Sequence, residues 1–138
     1  MELKYDKIKE GDELPSLQKP PIEQVQLVRY AGASGDFNQI HTVDAYAKEA
    51  GLGGTIAHGM LIMGILGQMV SGFAGVKNVI RFGVGFKAMT RPGDVLTAGG
   101  TVKKKFEDNG KKFIECKLYV KDQKDEVKID GKAVIEVD

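Results

Sequence analysis

Apolar positions change period about half-way along the 138-residue chain. In the second half they recur every second residue. Ile80, Phe82, Val84, Phe86 and Ala88 form one such row, and Leu96, Ala98, Gly100 and Val102 a second. Ile114, Cys116, Leu118 and Val120 form a third, and Val127, Ile129, Gly131, Ala133, Ile135 and Val137 a fourth. The opposite positions carry Arg81, Lys87, Glu115, Lys117, Lys128 and Lys132. This alternation predicts antiparallel strands with one face in a core and the other in water. Asn109-Gly110 supplies a hairpin turn between the second and third strands. Arg91-Pro92-Gly93-Asp94 supplies a turn between the first two.

The first half has a helical period. Ile22, Val25 and Val28 follow Pro20-Pro21 at three-residue spacing, so a helix is expected over residues 22–31. Residues 31–40 read as a loop broken by Gly32, Gly35 and Asn38, and a short helix over 43–50 is stopped by Gly51. The segment from His58 to Phe73 is apolar on nearly every face, which predicts a helix from about Gly59 that is buried on all sides. Gly64 and Gly67 weaken it intrinsically but let another backbone come close. Helices first and strands after give an α+β domain, most simply a curved sheet wrapped around the apolar helix.

Composition narrows the function. Hydrophobic residues at 42% and charged residues at 28% describe an ordinary globular chain, sized for one domain over 1–138. A net charge of +1 argues against a general electrostatic grip on nucleic acid. The charged first ten residues do not read as a secretory signal, and the stretch from Met60 to Val70 is too short to span a bilayer. The lone cysteine, Cys116, reads as a buried apolar residue of a reducing compartment, so the expected location is cytoplasmic. Two histidines and one cysteine, none at ligand spacing, predict no metal site. Gly83-Val84-Gly85 lies in a strand and is no dinucleotide fingerprint. The lysine runs 103–105 and 111–112 flank the hairpin turn and read first as a solvated tip.

Chemistry concentrates in Tyr30-Ala-Gly-Ala-Ser34-Gly35-Asp36-Phe37-Asn38-Gln39-Ile40-His41, followed by Ala47. A carboxylate and an imidazole stand five residues apart in a glycine-containing loop, and neither belongs to an apolar repeat. Asn38 is the type of residue that fixes such a loop through its backbone. Downstream, His58-Gly59-Met60 opens the apolar helix. The first N–H groups of a helix have no internal partner, and Gly59 has no side chain to hide its own, so it is a candidate oxyanion donor. His58 is expected to be structural, hydrogen-bonded at the helix start. Met60 and Met63 belong to the core pattern and also suit the wall of an acyl tunnel.

Both runs resemble the MaoC-like family of (R)-specific enoyl-thioester hydratases and 3-hydroxyacyl-thioester dehydratases. Ser34-Gly35-Asp36-Phe37-Asn38-Gln39-Ile40-His41, with Tyr30 before and Ala47 after, follows the family's hydratase motif. His58-Gly59-Met60 follows its helix start, and Phe86-Lys87-Ala88 with Pro92-Gly93-Asp94 its sheet segment. Gln39 departs from a proline, and Gly67 from a serine that assists the pair in some members. The resemblance implies a hotdog fold, catalysis by Asp36, His41 and the Gly59 N–H, and substrate contacts from Asn38, Met60 and Met63. It implies a thioester substrate on coenzyme A or acyl carrier protein, no organic cofactor, since substrate and water suffice, and a homodimer or larger homo-oligomer. A hotdog thioesterase and a non-catalytic acyl-thioester-binding partner subunit are the rival expectations.

Overall fold

A computed structural model describes residues 1–138. Five antiparallel strands form one sheet in the order β1-β3-β4-β5-β2. They are β1 (Leu17–Gln18), β2 (Val79–Phe86), β3 (Thr97–Asp108), β4 (Lys111–Lys121) and β5 (Val127–Val137). The helices are α1 (Gln24–Ser34), α2 (Asp44–Glu49) and α3 (Gly59–Ala74). The sheet curves round α3, which touches β2, β3, β4 and β5. This is the hotdog arrangement that the resemblance implies. The core is a continuous cluster of 22 buried residues from Ile8 to Val137, with Leu66, Leu96, Ile114, Leu118 and Ile135 fully buried. Cys116 is in it, and burial pushes its thiol pKa up to about 12.

The β3–β4 hairpin turns at Asn109-Gly110 as the sequence predicts. Both residues have positive φ (49° and 75°), the twist that matches a two-residue hairpin to its strands. Helix α1 starts later than expected. The N–H of Ile22 donates to the Asp94 carbonyl (2.9 Å) and the N–H of Gly93 donates back to the Ile22 carbonyl (2.7 Å). That tie holds Ile22 out of the helix. Helix α1 also ends later, at Gly35, whose φ of 75° closes the last turn onto the Ala31 carbonyl.

Two burial expectations need correction. Helix α3 is not buried on all sides. Ile62, Ile65, Leu66, Met69, Val70 and Ala74 face the sheet and core. Met60, Gly64, Gln68 and Gly72, spaced four apart, form a stripe in solvent. The glycines keep that stripe from exposing much apolar area. On β2, Ile80 and Phe86 do not join the inward row; Phe86, the last residue of the strand, is 56% exposed. A bulge between Val79 and Arg81 turns Val79 inward and leaves Ile80 55% exposed.

Lys128 is a third correction. It sits on the outward face of β5 but is only 4% exposed. Its ammonium donates to Glu126 (2.5 Å) and to the Met89 carbonyl (2.9 Å), and lies 3.2 Å from Asp122. It therefore ties the segment after β2 to the β4–β5 turn. No helix is long and apolar enough to cross a membrane.

Candidate active site

The loop after α1 is built from its own side chains. Ser34 Oγ accepts from the Asp36 N–H (3.2 Å), and Asp36 Oδ1 from the Asn38 N–H (3.2 Å). Asn38 Oδ1 accepts from the Ile40 N–H (3.1 Å) and so caps the single 3-10 turn Gln39–His41. Each of these short polar residues bonds two positions on, a local geometry that small polar side chains favour. Gln39 occupies the first position of that turn without breaking it. Asn38 is thus engaged in shaping the loop.

His41 is 7% exposed. Its Nδ1 lies 2.8 Å from the Ile56 carbonyl. A carbonyl only accepts, so Nδ1 carries a proton, and in the neutral ring Nε2 presents a lone pair. That lone pair faces Asp36 Oδ2 at 3.7 Å. The separation is too long for a hydrogen bond. It suits one water lying beside both atoms and donating to each at about 2.8 Å. The Gln24 amide holds the His41 carbonyl from the other side (2.9 Å) and accepts from Thr55 Oγ1.

His58 departs from the expected helix-start bond. It occupies the cap position of α3 without capping it. Its Nε2 instead reaches the Asp36 carbonyl (3.2 Å) across 22 residues. Its ring stacks on His41 (centroids 3.7 Å, 22° between planes) and meets the Tyr30 ring edge-on at 4.8 Å. Burial pulls the His58 pKa below its ordinary value by more than the Asp36 carbonyl restores. The ring is therefore neutral near pH 7.

Asp36, His41 and His58 bring one carboxylate and two imidazoles within 4.8 Å of one another. The two rings are stacked, with 22° between their planes. One nitrogen of each ring is also taken by a carbonyl.

Gly59 begins α3, so its N–H has no partner within the helix. A Cβ there would lie 2.8 Å from the Phe86 ring. A cavity of about 330 Å³ opens beside it, lined by His41, Ile56, Ile62, Phe86, Thr90 and Ile129 among others. Met60, 57% exposed, and the half-buried Met63 do not line it. The apolar wall comes instead from Ile56, Ile62 and Ile129. Thr90 was not legible as a site residue, because nothing in the pattern distinguishes it from the turn that follows. It is 2% exposed, its hydroxyl has no partner, and its carbonyl accepts from the Ala57 N–H (2.7 Å). Arg91 bonds the Leu52 and Gly54 carbonyls and so closes the adjoining loop.

Comparison with known proteins matches residues 8–124 to the MaoC like domain. The chain is 30% identical over 128 residues to a 3-hydroxybutyryl-CoA dehydratase of Methylorubrum extorquens, covering 90% of this chain and 78% of that protein. It is 35% identical over 102 residues to an (R)-specific enoyl-CoA hydratase of Rhodospirillum rubrum, covering 71% and 68%. Among solved structures, R-hydratase PhaJ1 of Pseudomonas aeruginosa superposes with a TM-score of 0.84 at 24% identity, covering 99% of this chain and 86% of that one. That likeness shows the fold. Sequence motif, sheet topology and the match over residues 8–124 agree: the chain belongs to the MaoC-like family.

Proposed function

We propose that the protein is a hydro-lyase that adds water to trans-2-enoyl thioesters, giving (R)-3-hydroxyacyl thioesters, or runs the reverse dehydration. One observation carries this reading. The His41 lone pair and the Asp36 carboxylate lie 3.7 Å apart, beside a cavity at the unpartnered N–H of Gly59.

A water donating to both groups keeps its own lone pairs free for attack. Its hydroxyl adds to C3, and its proton passes through the pair to C2 on the same face. The π electrons of the C2=C3 bond move toward the thioester carbonyl, whose oxygen takes the Gly59 N–H, and return to form the C2–H bond. Atoms and charge balance with substrate and water alone. The relatives named for (R)-specific hydration and for 3-hydroxybutyryl-CoA dehydration support this reaction class. Both are named for coenzyme A thioesters, which supports that carrier; acyl carrier protein is the other carrier that we propose.

We further place the protein in the cytoplasm, as one domain over residues 1–138 that acts as a homodimer. Its single, buried Cys116 suits a reducing compartment.

The test is loss of the enoyl absorbance of a crotonyl thioester. Asp36→Asn and His41→Ala should each lower kcat/KM by about 100- to 10,000-fold, the range for a lost acid–base group, with unchanged circular dichroism. Free thiol in place of 3-hydroxybutyryl product would identify a thioesterase and reject the proposal. So would full activity in both variants.

A further inference from the structure

A second depression lies away from the Asp36–His41 pair. It is a groove of about 760 Å³ around Arg81, Gly83 and Gly85, which alternate along β2 with the core-packed Phe82 and Val84. Phe82 and Val84 also line it, and the exposed Lys117 and Lys132 put its mouth on the sheet face turned away from α3. Gly83 helps leave it empty, since an added Cβ there would meet nothing within 4 Å. Its charged residues are Arg81, Lys103, Lys117 and Lys132 against the single carboxylate of Asp130.

The cations are unevenly neutralised. Asp130 lies 3.8 Å from Lys87, and Glu115 is shared between Lys103 and Lys104 at 3.6 and 3.7 Å. Arg81, Lys117 and Lys132 have no carboxylate within ion-pair distance. Lys117 and Lys132 stand directly opposite each other across β4 and β5. Like charges in that register destabilise a sheet. The whole chain carries only +1. The concentration is one of placement, not of general basicity.

Such a pocket focuses anions. Its size decides which kind. From β2 to β4 is two strand spacings, about 10 Å. That is room for two or three linked phosphates, whereas a nucleic-acid strand needs a longer basic track. We propose that this groove binds a compact polyphosphate, a pyrophosphate-bearing group of the kind found in nucleoside diphosphates. The group has two possible sources: the nucleotide handle of a coenzyme A thioester, or a free nucleotide.

Calorimetric titration with inorganic pyrophosphate and with ADP tests the site. The wild-type protein should bind each saturably, one per chain, and more weakly as salt rises. Arg81→Gln with Lys117→Gln and Lys132→Gln should weaken binding by tenfold or more, while Lys124→Gln, outside the groove, should leave it unchanged. Thermal melting checks that each variant is folded. No saturable binding, or equal binding by the triple variant, overturns the proposal. A second arm compares crotonyl-coenzyme A with crotonyl-pantetheine. A raised KM for the former alone identifies the substrate's own handle as occupant. An unchanged ratio identifies a free nucleotide. Loss of hydration on both thioesters in the wild-type protein would count against the hydratase reading and leave the groove's own test intact.

Discussion

The two ring nitrogens of His41 have different roles, and the Ile56 carbonyl assigns them. One donates to the backbone, and the other is thereby free to meet Asp36. His58 supports both partners, one through a backbone bond and the other by stacking. Because burial lowers the His58 pKa, its neutral form is favoured by folding. The sign follows: an unfolded chain binds this proton from about pH 6.5 downward while the folded one resists it. Stability should therefore be complete above pH 6.5 and fall as pH drops toward the lowered folded value. Melting temperatures of His58→Gln should show a flatter acid limb than the wild type. An identical limb would remove His58 as the cause. At Gly59 the relevant contact is the Phe86 ring, which is 56% exposed and free to swing. Gly59→Ala should keep stability within about 1 kcal/mol, since alanine favours the helix. Displacing the ring or filling the cavity mouth should lower kcat/KM by about 100-fold, the order expected for a displacement of about 1 Å at a reacting centre. A paired melt and rate measurement decides it.

At the scale of elements, Lys128 carries the argument. Its ammonium is held by Glu126, by Asp122 and by the Met89 carbonyl, with only 5% of its side chain exposed. The segment it anchors runs through Thr90, whose carbonyl holds the backbone just before His58. A lysine on the far face of β5 thus braces the wall of the cavity. Lys128→Met should leave the buried Asp122 carboxylate without its cation, held only by the N–H groups of Lys124 and Glu126, and cost about 3 kcal/mol in denaturant unfolding, the low end for removing one partner of a buried pair. A cost under 1 kcal/mol would mean that water replaces the ammonium. The solvent stripe of α3 makes a related point. Period alone reads the helix that begins near Met60 as apolar on nearly every face, yet a sheet curves round one side of a helix and the remaining side stays wet.

At the scale of the whole molecule, β2 is the sheet's long unpaired edge. It carries Ile80, and Val76, Met60, Phe86 and Met89 are also exposed on the molecule. A long apolar edge is a template for another strand unless covered. Pairing of β2 with its copy about a two-fold axis would cover it with an isologous interface. Light scattering should give twice the 15.0 kDa chain mass, and Ile80→Lys should shift it toward the monomer. A monomeric wild type across micromolar concentrations would reject the homodimer.

Much of this was legible in the residues alone, for physical reasons. Period-two alternation fixes which strand faces enter a core. The small polar residues of Ser34-Gly35-Asp36-Phe37-Asn38 fold their loop by contacts two positions apart, and Asn109-Gly110 turns the hairpin through its own backbone preference. These are local energies, and a linear chain displays them. What needed the tertiary structure were contacts between distant segments: Ile22 tied to Asp94, His58 to Asp36, Lys128 to Met89, and the bulge that sent Ile80 outward. Solvation depends on what packs from elsewhere, so neither the burial of Lys128 nor the neutral His58 could be read from neighbours in sequence.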